Sequence, residues 1–488
     1  KNSAYLEQIF FFAEKSKARI LLESAIQSRS QQYAGIPDSV ITYERSLKGH
    51  INAMWAEMDF LVANASGQGD RLSSLRDSLI SLNRQLLRFR NFLNQNYPHY
   101  HTLKFGNRVS SVAEIQKQLA EKKLSAVEYF LGEHSLFAIV ITGNSLTVKK
   151  LSPDSDLTNT IHTFTQAVTQ RNDSSYLMLG TSLYNTLIKP IESFIASSSQ
   201  LLIIPDGVMA LLPFEALLAG NVSPEDSNYR NLPYLLWDYN IAYAPSLTLS
   251  TALQEQKDQS YQTNLLAFAP GFEDSIPDWE HQAGSGVHSK WNALPFSKME
   301  VKGIVSLFKK QMEFWELLFN PKQVSLFLDE SASESHLKNA TDLNARYIHM
   351  ATHAFVSDDQ SQLAGILLYP DRSQGEDGIL FAYEIYGLSL NADLVTLSAC
   401  DTGSGSVIKG EGIMSLSRAF QFAGAKNLLV STWKVADRSS AKLMLEFYRR
   451  LIRGKNKISA LQEAKRGLVR NTMFAHPYYW APFILIGS

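Results

Sequence analysis

The chain opens with a helical pattern. In YLEQIFFFAEKSKARILLESAIQ, Leu6, Phe10, Ala13, Lys17 and Leu21 recur at intervals of three or four, with no Gly or Pro between them. A core-packing amphipathic helix is expected there. After a polar, Pro-containing break at Gly35 to Asp38, Leu47, Ile51, Met54, Met58 and Leu61 alternate spacings of four and three. The segment ANASGQGD interrupts, and Leu72, Leu75, Leu79, Leu82, Leu86, Phe89 and Leu93 then resume the alternation. That period is the seam of a coiled coil, and two such helices joined by a Gly-containing turn make an antiparallel hairpin. Nothing titratable converges on it, so it reads as a spacer or docking arm.

From about Ser125 the period falls to two. AVEYFLGEHSLFAIVITGNSLTVKKL gives three short strands with turns at Gly132-Glu133 and Gly143-Asn144, an antiparallel meander. A helical region from Asn159 to Ser198 follows, and then strands alternate with helices, the pattern of an α/β layer. LLIIPDG, YNIAYAPS, LLAFAP, QVSLFLD, RYIHMATH, DLVTLSAC and NLLVSTW are the β-rich runs. Helices are expected at Lys298 to Lys310, Ser333 to Ala340, Ile413 to Ala423, Ser439 to Ile452 and Ile458 to Arg470. The aperiodic stretch from Gly271 to Pro295 reads as an exposed loop. Gly424 suits a left-handed helix end between Ala423 and the strand at Leu428, so DLVTLSAC, this helix and NLLVSTW form a βαβ unit.

Charge narrows the function classes. In 488 residues, 46 basic and 47 acidic side chains leave a net charge of -1, so no global field attracts nucleic acid or an anionic membrane. No apolar run approaches a membrane span, and no signal-like segment opens the chain. A soluble, cytoplasmic protein is expected. Lys1 in place of an initiator Met fits a fragment, with further segments expected before it. The single cysteine excludes an intrachain disulfide and a multi-cysteine zinc site.

In a parallel α/β sheet, functional groups gather at the carboxyl ends of strands. His353 closes RYIHMATH and Cys400 closes DLVTLSAC. A thiol needs a base to become thiolate at neutral pH, and imidazole titrates there, so the two make a candidate dyad. Read from the residues alone, Cys400 is equally a small buried hydrophobe. His349 and His353 form an H-x-x-x-H spacing, but HMATH lacks the Glu of a zinc helix and reads as a strand. His349 is instead a neighbour that packs or hydrogen-bonds behind the site. TGSGSVIKGEG lacks the Gly-Lys-Ser/Thr ending of a phosphate loop.

Together YIHMATHAF, VTLSACDTGSGS, GEGIMSLSRAFQFAGAKNLLVSTWKVAD, LMLEFYRRLIRG, ALQEAKRGL and the closing YYWAPFILIG resemble the CHAT domain. These are caspase-like peptidases associated with tetratricopeptide repeats and related to separase. FFFAEKSKARILLESA resembles the last helix of a preceding repeat array, and PDGVMALLPFEALL the middle of an inactive N-terminal half. The resemblance implies an α/β, caspase-like three-layer sandwich with a mostly parallel sheet. It divides the chain into a terminal repeat-like helix (1–35), a coiled-coil hairpin (36–122), an inactive caspase-like half (123–260) and an active half (261–488).

By the same resemblance His353 is the general base and Cys400 the nucleophile of a cysteine endopeptidase. The backbone N–H groups of Ala354 and Cys400 would form the oxyanion hole, and Ser431, Thr432 and Trp433 would pair with the substrate backbone. Asp401, Asp358, Asp359 and Asp437 are candidates for an acidic pocket that receives Arg or Lys. Two positions depart from the family pattern. Ala354 stands where Gly is usual, and a positive φ there would strain the backbone and tilt the oxyanion donor. Lys434 replaces the proline that commonly follows the Trp. No cofactor or metal is expected. The implied partners are a protein substrate and a regulatory protein or sensor complex docking on the helical N-terminal region, in prokaryotic defence or cell-death signalling. Direct nucleic-acid or membrane binding is not expected. Two other readings stay open: a pseudo-peptidase that acts as a binding scaffold, and thioester chemistry such as acyl transfer.

Overall fold

The apolar runs after Ser125 lie side by side in one sheet. The computed structural model describes residues 2–27, 40, 43, 46–47, 54, 69–96 and 109–487, the last range without 133–134, 154–155, 221, 224–225, 227, 256–260, 273–293, 312–322, 340–343, 357–363, 386–387, 389, 399–409 and 434. Its strands are β1 (Ser125–Leu131), β2 (Leu136–Ile141), β3 (Leu146–Leu151), β4 (Gln200–Ile204), β5 (Asn240–Tyr243), β6 (Thr263–Ala269) and β7 (Gln323–Leu328), followed by β8 (Ala345–Met350), β9 (Ala354–Val356), β10 (Ala364–Leu367), β11 (Ile379–Phe381), β12 (Leu394–Leu397), β13 (Leu428–Ser431) and β14 (Phe483–Ile486). The helices that matter for the site are α1 (Asn2–Gln27), α2 (Gly69–Asn96), α3 (Ser297–Gln311), α4 (Gly410–Ala423), α5 (Asp437–Ile452) and α6 (Lys457–Val469).

Eleven strands form the main sheet in the order β3-β2-β1-β4-β5-β14-β13-β12-β8-β6-β7. Seven of its ten strand junctions are parallel, and only β1–β2, β2–β3 and β13–β14 are antiparallel. The fold is therefore mixed α/β with a mostly parallel sheet. The meander over Ser125–Leu151 and every β-rich run expected from the sequence occupies a place in this sheet. β12, α4 and β13 form the βαβ unit, with Leu397 opposite Val430. Gly424 ends α4 at φ +116°, and a Cβ there would overlap the Leu390 carbonyl. A second sheet, β11-β10-β9, stands apart.

The described chain divides into two units. In the smaller, residues 29–108 with 386–388, α2 buries Leu75, Leu79, Phe89 and Leu93 and half-buries Leu82 and Leu86, the seam read from the spacing. The Tyr43 ring meets Phe89 edge-on at 5.3 Å. Most of the first hairpin helix and residues 63–68 of ANASGQGD lie outside the described residues, while its last two, Gly69 and Asp70, open α2.

In the larger unit α1 buries Phe10, Ala13 and, unusually for a cation, Lys17. The Lys17 ammonium lies 3.0 Å from Glu128 on β1 and donates to the Tyr129 carbonyl at 3.0 Å. Glu14, one turn back, accepts the N–H groups of Leu247 and Thr248 at 2.8 Å each. The Lys17 contacts with Glu128 and Tyr129, and the capture of two backbone N–H groups by Glu14, thus add polar anchors to the apolar stripe of α1. No described helix is long and apolar enough to cross a membrane.

Candidate active site

β6, β8 and β12 run parallel and adjacent, so their carboxyl ends open on one edge. Met350 and Leu397 are register partners at those ends. His353 follows Met350 by three residues, and Cys400 follows Leu397 by three. The Ser398 N–H still donates to the Met350 carbonyl at 3.1 Å, so the two chains stay paired one residue past the strand. Cys400 itself lies outside the described residues, as do Asp358, Asp359 and Asp401.

The strand carrying His353 stops at Met350, three residues short of the histidine. Thr352 Oγ1 donates to the Leu367 carbonyl at 2.5 Å, and the His353 carbonyl accepts from Leu367 N–H at 2.9 Å. The chain thus leaves the main sheet after Ala351, whose N–H still donates to the Phe268 carbonyl at 2.9 Å, and the small sheet takes hold of it at the His353 carbonyl. Its side chain is fully buried, and its ring lies nearly parallel to that of Phe272, 6.1 Å between centroids and 16° between planes. Phe272 comes from the segment just past β6, the strand beside β8. Sequence reasoning missed this residue. The available signal was an aromatic three positions past the end of the neighbouring parallel strand.

Ala354 begins β9 opposite Ile366. Among the described residues, only Lys123, Arg171 and Asp329 are non-glycine residues at positive φ, so Ala354 has an ordinary extended backbone and its methyl brings no strain. The bond from Leu367 to His353 makes Ala354–Ile366 a non-hydrogen-bonded pair. Its N–H therefore points away from β10.

Behind His353, His349 joins the two site strands to two helices. Its Nε2 lies 2.8 Å from Glu300 Oε1 on α3, and its Nδ1 is 3.3 Å from Tyr448 Oη on α5. The same hydroxyl meets Thr396 Oγ1 on β12 at 2.9 Å. Burial raises the Tyr448 phenol well above its ordinary range, so it stays a neutral hydroxyl. The sequence reading gave neither Glu300 nor Tyr448 a role at the site, although Tyr448 lies within LMLEFYRRLIRG, because each comes from a helix whose packing against β8 and β12 no local pattern shows.

The other sequence candidates sit at the end of β13. Ser431 faces Phe483 of β14, Thr432 N–H donates to the Pro482 carbonyl at 3.0 Å, and Trp433 Nε1 donates to the Tyr478 carbonyl at 3.2 Å. Those groups are spent within the chain. The hydroxyls of Ser431 and Thr432 are buried and meet no partner among the described residues. Asp437 opens α5 and accepts the Phe296 N–H at 2.6 Å; burial raises its pKa, and that bond lowers it.

Among the described residues, one carboxylate group has the spacing of a metal site: Glu334, Glu376 and Glu384. The Lys338 ammonium lies 2.7 Å from each of the three. Burial pulls Lys338 down, and the three carboxylates outweigh it and raise it. Glu334 and Glu384 also accept the N–H groups of Gly378 and Phe381, so the cluster braces the β10–β11 sheet behind His353.

The CHAT domain family model matches residues 177–488. Tetratricopeptide repeat protein 28 of Homo sapiens is 25% identical over 332 residues, and its Mus musculus counterpart 24% over 336. Each alignment covers 63% of this chain, which spans 13% of the length of these curated relatives. Two crystal structures of the Saccharomyces cerevisiae separase–securin complex, at 2.6 and 3.0 Å, align over 86% and 88% of this chain and 34% of theirs. The identity is 11% in both, with TM-scores of 0.39 and 0.44.

Proposed function

Because the chain belongs to the CHAT domain family, a caspase-like peptidase type, we propose that it is a cysteine endopeptidase acting through Cys400 and His353. The observation that carries this reading is the register of β8 and β12: Met350 pairs with Leu397, and the two reactive residue types follow at equal distances. In the proposed reaction the Cys400 thiolate attacks the scissile carbonyl carbon, giving a tetrahedral oxyanion. His353 donates its proton to the departing amine as the C–N bond breaks. Water, deprotonated by His353, then hydrolyses the thioester and returns the thiol. Ala354 N–H, turned away from β10, would meet the oxyanion together with Cys400 N–H, each donor contributing roughly 2.7–4 kcal/mol. The hydroxyls of Ser431 and Thr432, without a partner among the described residues, support substrate contact at the end of β13.

The proposed substrate is a specific partner protein, and the proposed control is a regulatory protein or sensor docking on the helical N-terminal region. Support for the control comes from α1, which packs against α4, the helix that follows the Cys400 segment in sequence. The cytoplasm is the proposed location, and defence or cell-death signalling the proposed setting; for the setting, only the family resemblance speaks.

Cys400 is the one thiol in the sequence, which makes the test direct. A peptide electrophile should add one equivalent to the purified chain, and His353→Ala should slow the addition by about 10²-fold or more. Cys400→Ala should abolish cleavage of the partner protein. The complete burial of His353 favours a second reading, a pseudo-peptidase scaffold, which predicts slow labelling that ignores His353.

A further inference from the structure

Phe272, buried and stacked on the His353 imidazole, hangs on an unusual turn. The residue before it, Gly271, lies at φ +53°, in the left-handed region. A Cβ at that glycine would overlap Lys298 Cε and stand 2.7 Å from Asp329 Oδ1, so the Lys298 stem fills the space where a side chain would lie. The Lys298 ammonium is held in turn, 2.7 Å from Asp329 Oδ1. Lys298 sits in the first turn of α3, and Asp329 directly follows β7, the strand beside β6, so a helix and a strand end close on the turn that carries Phe272. Asp329 is itself left-handed, at φ +52°, a conformation that Asp tolerates better than most side chains. Its carbonyl accepts the Ala332 N–H at 2.9 Å, and the Leu328 N–H donates to Ser331 Oγ at 2.8 Å, so the short turn that presents the carboxylate is also tied.

We infer that the Lys298–Asp329 pair positions the His353 imidazole through Phe272. The inference rests on the proposed dyad and adds a control on its geometry. Both side chains reach solvent, so their attraction is weak on its own. Its effect is to hold the long Lys298 stem over Gly271, where the stem keeps the turn from relaxing and sets the direction in which Phe272 leaves the backbone. The Phe272 ring then limits how far the imidazole can swing. A general base works only within hydrogen-bond reach of the proton it takes, and a displacement of about 1 Å can cost 10²-fold in rate. Lys298 and Asp329 are positioning residues in this scheme, acting on the base from one residue away through the ring that stacks on it.

Alkylation of the single thiol by iodoacetamide, followed by mass spectrometry, tests the inference on the full chain. Lys298→Met keeps a stem but frees it, and Asp329→Asn removes the charge while keeping a residue at ease in left-handed backbone. Each should slow alkylation at pH 7 about tenfold, a part of the roughly 10²-fold expected for His353→Ala. Each should also move the midpoint of the pH–rate curve up toward that of an ordinary thiol, about 8.5. Added to His353→Ala, neither should slow the reaction further, because their effect passes through the imidazole. A parental rate and midpoint in either folded variant, or the same slowing with and without His353, would overturn the inference and leave the dyad standing. If His353→Ala itself matched the parent, the dyad would fail and the inference with it. Thermal melting verifies folding of each variant. Asp329 is half exposed, so Asp329→Asn keeps the test decisive should Lys298→Met fail to fold.

Discussion

His349 Nε2 and Glu300 Oε1 lie 2.8 Å apart with both side chains buried, and this contact ties the strand leading to His353 to α3. Through Tyr448 the same imidazole reaches Thr396, four residues before Cys400. The chain Glu300–His349–Tyr448–Thr396 thus fastens both site strands from behind. Glu300→Ala would strand a buried ring nitrogen, a loss of about 1–3 kcal/mol. Denaturant unfolding should show the midpoint fall with an unchanged slope. A midpoint equal to that of the parent would mean the contact contributes nothing.

How far the sequence reached depended on how local each signal was. Period two and Gly-bounded turns were enough to place the meander over Ser125–Leu151, and the 4–3 alternation gave the α2 seam. His353 was legible because a strand ran into polar sequence, although the strand ends at Met350 rather than at the histidine. The three strands after His353 were missed: AFV, AGIL and ILF are three or four residues long, too short to show a period, and pairing alone defines them. Phe272, Glu300 and Tyr448 were illegible for another reason. Each reaches the site across elements dozens of residues away, and only the sheet order β12-β8-β6 brings them together.

Ala354 separates a backbone requirement from a side-chain habit. Its extended conformation needs no glycine, so Ala354→Gly should not raise the proposed peptidase activity. Glycine inside a strand should instead cost about 0.5–1 kcal/mol of stability. Paired kinetics and thermal melts of this variant check both halves. A tenfold gain in kcat would show that the methyl, not the backbone, gates the proposed oxyanion donor.

Gly424 is the opposite case. At φ +116° against the Leu390 carbonyl, it lets α4 turn sharply into β13. Gly424→Ala combines left-handed strain of roughly 1–2 kcal/mol with a backbone overlap that only displacement of the 390 segment can relieve. The variant should melt several degrees lower. If Ala were tolerated without a shift, the turn would have to be looser than it is in this fold.

Lys17 offers a pH-dependent test of how α1 is held. Burial raises the Glu128 carboxyl to about 8, with Lys17 acting to lower it. A carboxyl whose folded pKa exceeds its unfolded value favours folding fully below the unfolded value, about 4.5, and loses that contribution as pH rises toward 8. Lys17→Met removes the lowering influence, so the Glu128 pKa climbs further and the loss continues at higher pH. The deficit of the variant against the parent should therefore be small at pH 5 and grow through pH 8 and beyond, toward the roughly 3–5 kcal/mol of a broken buried pair. Adding Glu128→Gln should remove the pH-dependent part, because no buried charge is left to form. Chemical denaturation of the parent, the single variant and the double variant across this pH range measures it. Parallel curves for all three would show that Lys17 and Glu128 do not interact in the folded chain, and α1 would then be held by Phe10, Ala13, the bond from Lys17 to the Tyr129 carbonyl and the grip of Glu14 on Leu247 and Thr248.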